Sequence, residues 1–169
     1  MARTEIEHIV TPSLLDRLTD ESPRVSIDTL MTRAESERSF RRSVERDVEH
    51  LLNTRRTMYP APETLNEVRH SVYEYGLIDT TGIPVGTPGG RDSLLAALRD
   101  AIVRFEPRLA ETRVMLVDAD QASAPQLRFV VEAQLILDRE RQQVVFDTVL
   151  EVASGEYDVK DKDAAGGGT

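Results

Sequence analysis

The sequence contains no cysteine and no tryptophan, and only 5% of its residues are aromatic. Without thiols, disulfides and thiolate metal sites are excluded, which suits a reducing compartment. With so few aromatic rings, any core must be mainly aliphatic. Long apolar runs are also missing. No stretch approaches the roughly 20 apolar residues that a membrane-spanning helix needs, and the opening "MARTEIEHIVTPSLL" lacks the apolar segment of a secretory signal. These features lead to the expectation of a soluble, cytoplasmic protein with no membrane insertion. Positive charge is scarce as well: 21 Lys and Arg face 30 Asp and Glu, for a formal net charge of -9. Such a balance repels phosphate and argues against nucleic acid or an anionic membrane surface as the main partner. No internal repeat is visible.

What is present suits one domain with tails. The 169 residues are 40% hydrophobic. Residues 1–35 read as an arm, 36–153 as a single domain and 154–169, charged and Gly-rich, as a disordered tail. Within the arm, Leu14, Leu15 and Leu18 share one face of a helical turn, either packed on this chain's own core or docking on a partner. "SERSFRRSVERDVEHLLNTRR" carries Phe40, Val44, Val48, Leu51 and Leu52 on one helical stripe, with Arg42/Glu45 and Arg46/Glu49 at ion-pair spacing. Asn53 and the prolines beyond it close that helix. "PETLNEVRHSVYEYGL" predicts a shorter second helix with Leu65, Val68 and Val72 as its stripe and Gly76 as its stop. A Gly/Pro loop follows. "RDSLLAALRDAIVRF" predicts a third helix built on Leu94, Leu95, Leu98, Ile102 and Phe105, with Thr87 and Asp92 as candidate caps.

After Pro107 the period changes from helix to strand. "RVMLV" is one strand. "LRFVVEAQLIL" places Phe129, Val131, Ala133, Leu135 and Leu137 on one face. "VVFDTVLEV" places Val144, Phe146, Thr148, Leu150 and Val152 on one face, with a tight hairpin between the two. Helices first and strands later predict an α+β fold: a small antiparallel sheet of three or more strands with about three helices on one face. A sheet this small has free edges, and a free edge accepts a strand from another chain. The last predicted strand, with Val145 and Val149, is the candidate edge.

Enzymatic chemistry finds little to stand on. The pairs Glu45 with Glu49 and Asp47 with Glu106 are the available carboxylates for a hydrolase, but acids on an arginine-bearing helix read as a solvated face. His8, His50 and His70 are scattered, without metal-ligand spacing, and His50 borders the apolar stripe as a packed residue would. "GIPVGTPGGRDS" lacks the lysine and hydroxyl residue that end a phosphate loop. No catalytic residue, metal or cofactor is assigned. The turn Glu106-Pro107-Arg108 is different. Proline ends the helix before it. Arg108 suits the negative helix terminus, whereas Glu106 opposes it, so Glu106 needs a partner either nearby or on another chain.

"SVERDVEHLLNTRR", "SVYEYGLIDTTG" and "RFEPRL", in that order, resemble the TssE family of type VI secretion baseplate proteins, with "PSLLDRLTD" resembling its N-terminal arm. That family is similar to the wedge and sheath-initiator proteins of contractile phage tails, once labelled lysozyme-like. The likeness spans roughly residues 12–152. The family often has proline where this chain has Ile78. The resemblance implies a non-enzymatic wedge subunit in the cytoplasmic baseplate, assembled at the inner face of the cell envelope. It implies contact with TssF and TssG through Glu106, Pro107 and Arg108, and sheath initiation by strand pairing with TssB and TssC. A peptidoglycan-type glycan hydrolase and a generic adaptor working through its arm are the alternatives.

Overall fold

The structure, a computed structural model, describes residues 10–19, 32–80, 82–118, 126–138 and 140–162. The helices are α1 (Leu14–Leu18), α2 (Arg33–Asn53), α3 (Asn66–Arg69) and α4 (Pro88–Phe105), with a 3-10 turn at Val72–Glu74. The strands β1 (Leu109–Asp118), β2 (Gln126–Leu137), β3 (Glu140–Glu151) and β4 (Glu156–Asp161) form one antiparallel sheet in that order. The fold is α+β, with α2 packed by β4, α4 packed by β1 and the two long helices touching.

α2 begins with a capping box in which Thr32 and Glu35 satisfy each other's backbone N–H. It buries Val44, Val48, Leu51 and Leu52. α4 is capped by Thr87, with Pro88 in its first turn, and buries Leu94, Leu98, Ala101 and Ile102. Both stripes meet the inner face of the sheet, where Phe129, Val131, Ala133 and Leu135 of β2 alternate with outward residues and Val144, Phe146, Thr148 and Leu150 of β3 do the same. The β2–β3 hairpin is as tight as its sequence suggests: Leu137 pairs with Glu140, and Asp138 takes φ +46°. β1 starts earlier than "RVMLV", at Leu109, and carries a bulge between Ala110 and Arg113 where Glu111 has φ +54°.

Two expectations are corrected. The second helix is not continuous: α3 and the 3-10 turn divide it, and Val72 is 86% exposed. Ser71 interrupts it by donating to Val68 O and accepting from Tyr73 N–H. Glu74 then points inward, where its carboxylate takes the Ala61 N–H at 2.6 Å and Arg56 Nη1 at 2.9 Å, with Arg104 Nη1 at 3.5 Å. Fixing a buried carboxylate outweighs the modest helical preference of the segment. Behind it, Gly76 at φ +104° lets Leu77 bridge to Thr54 and Arg56, and a Cβ there would meet Thr54 O at 2.3 Å.

The second correction concerns the tail. Residues 156–161 form β4, turned onto β3 through Gly155 at φ +75°, with Tyr157 and Val159 buried. Tertiary burial of those two side chains outweighs a composition that reads as disordered. β3 is therefore internal, and Val145 and Val149 lie on its half-buried outer side with their strand paired on both flanks. The remaining arm residues, 1–9 and 20–31, and the end of the tail, 163–169, lie outside the described residues.

Candidate interaction surfaces

The Glu106-Pro107-Arg108 turn joins α4 to β1. Glu106 caps α4, its N–H donating to Ile102 O, and its side chain is turned inward to 4% exposure. Arg108 donates through Nε to Glu106 Oε1 at 2.6 Å and through Nη2 to Glu106 Oε2. The backbone N–H of Arg108 adds a third bond to Oε1 at 3.2 Å. The glutamate that opposes the helix terminus thus has its partner within the same turn, and the need for a donor from another chain falls away. Arg108 also reaches Asp47 Oδ2 on α2 at 2.7 Å and lies over the Phe40 ring, 5.7 Å from its centroid. Burial acts to lower the Arg108 pKa, but hydrogen bonds and charge from Glu106, then from Asp47, carry it well above the ordinary value. Pro107 is exposed at the tip.

The arm meets this turn through charge. Ser13 caps α1 by accepting the Asp16 N–H, and Arg46 Nη2 holds Asp16 Oδ1 at 2.7 Å. Arg46 also donates to Asp47 at 2.9 Å. A line of alternating charges therefore runs Asp16, Arg46, Asp47, Arg108, Glu106, from the arm across α2 to the turn. Arg46 uses Asp16 and Asp47 in place of the Glu49 pairing its spacing suggested. Leu14, Leu15 and Leu18 are 71%, 60% and 76% exposed, so the arm's leucines do not pack on this chain's core. Val10 does: it is buried, and its carbonyl accepts from the Ser36 hydroxyl.

The sheet has two edges in different states. Ile136 N–H bonds Arg108 O, so the even-numbered residues of β2 direct their main-chain groups at β1, opposite Arg113 and Met115. The N–H and C=O groups of Val114 and Leu116 then point away from the sheet, where no described residue bonds them. At the other edge, Lys162 N–H bonds Val145 O, so Tyr157, Val159 and Asp161 direct their main-chain groups away from β3. The Asn53 side chain meets both groups of Tyr157, donating to its O at 2.8 Å and accepting its N–H at 2.9 Å.

Of the carboxylates considered for catalysis, Asp47 and Glu106 are brought together only as partners of Arg108, and the histidines do not converge. The Arg108 guanidinium occupies both carboxylates, and Glu45 faces the Asp161 backbone. His50 is exposed, correcting the packed reading, and so is His70; His8 lies outside the described residues. Among the described residues, no group of three or more His, Asp or Glu side chains is placed to hold a metal ion, and no helix is long and apolar enough to cross a membrane. Sequence reasoning missed the structural weight of Asp47, Arg46 and Asn53. Their partners sit on distant elements, and only the polar character of Asn53 at a helix end hinted at its use.

The family model described as "Baseplate wedge protein gp25" matches residues 38–140, from within α2 to the first residue of β3. Among curated proteins, nothing matches the chain.

Proposed function

Because the chain belongs to the baseplate wedge protein gp25 family, we propose that it is the TssE-type wedge subunit of a type VI secretion baseplate and that it starts the contractile sheath without enzymatic activity. The match bears out the resemblance read from the sequence, and a structural baseplate role follows from the family. The observation that carries the finer reading is the open β1 edge. Two outward N–H and C=O pairs, at Val114 and Leu116, line this edge, whereas at the other edge the Asn53 side chain takes both main-chain groups of Tyr157. A sheath strand, from TssB or TssC, adds to β1 by main-chain hydrogen bonds. Val145 and Val149 do not serve as the edge, and they instead contribute to the outer face of the sheet.

The contact with the core wedge proteins TssF and TssG falls to the arm and the turn. Leu14, Leu15 and Leu18 offer apolar area, and Pro107 with the outer side of Arg108 offers a fixed, charged tip. Glu106 supports this surface from beneath by orienting Arg108. The subunit then works on the cytoplasmic side of the cell envelope, at its inner face.

Proline placed at Val114 tests the edge. No described residue uses the Val114 N–H, so its loss leaves the sheet's own ladder intact, as at natural edge prolines. Cells carrying Val114→Pro should assemble baseplates and fail to extend sheaths, whereas Val114→Ala, which keeps the N–H, should extend them. Full-length sheaths with a folded Val114→Pro protein would refute the reading. Proline at Val145 or Val149 would instead break an internal ladder and report only on folding.

A further inference from the structure

The β4 edge is covered by the long helix packed beside it. Arg41, Glu45 and Asn53 lie four and eight residues apart on α2 and so share one face. Asn53 supplies a primary amide to Tyr157, donor to O and acceptor to N–H, the same two bonds that a neighbouring strand would make. Arg41 takes the Asp161 carboxylate through Nε at 2.8 Å and Nη2 at 3.2 Å, and Glu45, one turn further along α2, faces the Asp161 backbone. The spacing fits. From Glu45 to Asn53 the helix rises about 12 Å, and from Asp161 back to Tyr157 the strand covers about 13 Å. α2 therefore runs along β4 in register, as a substitute for the strand that edge would otherwise attract.

We propose that this substitution is a specificity device: Asn53, supported by Glu45 and Arg41, bars β4 from strand addition and leaves the sheet a single receptive edge. The partner it excludes is a second copy of this chain. With β4 open, each copy would have one edge able to receive another copy's β1, and head-to-tail pairing of that kind does not close on itself. With β4 barred, two copies can at most pair β1 to β1, which is closed. The inference rests on the reading of β1 as the receptive edge, and the experiment separates the two.

The test measures the mass of purified full-length protein against concentration by light scattering, for wild type, Asn53→Ala, Asn53→Asp and the double variant Asn53→Ala/Val114→Pro. Asn53→Asp keeps an acceptor for the Tyr157 N–H and loses the donor to its carbonyl. Wild type should not grow beyond a dimer. Asn53→Ala should grow past the dimer as concentration rises, Asn53→Asp less so, and the double variant should return to the wild-type limit. If Asn53→Ala grows and the double variant grows equally, the bar at β4 stands and the reading of β1 fails. If Asn53→Ala is folded by circular dichroism, exchanges its Tyr157 amide faster than wild type and still does not grow, the proposal is overturned. Should Asn53→Ala fail to fold, Asn53→Asp decides by the same two readings.

Discussion

Arg108 closes back on Glu106 across Pro107, so that a guanidinium and a carboxylate two residues apart hold the chain reversal between α4 and β1. With Glu106 buried, this pair belongs first to the fold. Arg108→Ala leaves that carboxylate without its cation and should cost about 3 kcal/mol, as breaking a buried ion pair does. Glu106→Gln, which retains hydrogen-bonding capacity, should cost about 1 kcal/mol. Urea denaturation of both variants measures the difference. Equal stability of Arg108→Ala and wild type would remove the structural role. Any comparison of partner capture by these variants must therefore be made at equal folded fraction.

The arm should behave as a unit attached by charge. Burial acts to raise the Asp16 pKa, but the Ser13 hydroxyl and Arg46 outweigh it and hold the group below its ordinary value of 3.8. A depressed carboxylate pKa contributes stability above the unfolded value and loses it as pH falls through the folded one. Asp16→Asn should thus loosen α1 at pH 7 while changing global stability by less than about 1 kcal/mol. Faster amide exchange at Leu14–Leu18, with an unchanged core, is the expected pattern; unchanged exchange would mean that the Arg46 contact does not hold the arm.

Gly76 is required by its backbone. At φ +104°, with Thr54 O 2.3 Å from the position of any added Cβ, alanine meets both strain and collision. Gly76→Ala should destabilise the protein by about 2–3 kcal/mol, read as a lower melting temperature. A change within experimental scatter would show that the Leu77 bridge to Thr54 and Arg56 relaxes freely.

Glu45 provides a pH test of the opposite sign. Burial raises its pKa, helped by the charges of Asp161, Glu49 and Asp158, although the Asp161 N–H acts to lower it. A carboxyl group with a raised folded pKa favours the folded state at low pH, and that advantage fades as pH climbs through the folded pKa. Glu45→Gln keeps the shape and polarity of the side chain and removes the charge. It should be slightly more stable than wild type at pH 7, with the two converging below the unfolded value near 4.5. Thermal melts at pH 7 and pH 4 decide this, and a variant less stable than wild type at pH 7 contradicts it.

The parts of the fold legible in the sequence are those governed by local periodicity. The stripe from Val44 to Leu52 and the alternation from Phe129 to Leu137 each report one buried face, and each is buried as read. β4 was hidden because its inward apolar residues, Tyr157 and Val159, are only two among acids and a lysine. Its pairing depends on a turn at Gly155 and on space beside α2, neither of which leaves a periodic trace. The broken second helix escaped for a related reason: Glu74 looks like a surface residue until Arg56, Ala61 and Arg104 surround it. At the turn, the sequence posed the right question about Glu106 but not the answer, since Asp47 lies 61 positions before Arg108. Periodicity orients a face and says nothing about which distant side chain crosses it. The family resemblance needed none of this, because it rests on short strings in a fixed order.

The carboxylate of Glu74, held from within by Ala61 and Arg56, has an effect at the opposite end of its segment. Met58, Tyr59 and Val72, 89%, 78% and 86% exposed, ride on a stretch fastened at its base. A neighbour that lands on these tips meets groups whose backbone is already immobilised, so little chain freedom remains to be lost on contact. Cutting that internal fastening would leave the tips chemically unchanged and turn a rigid projection into a floppy one.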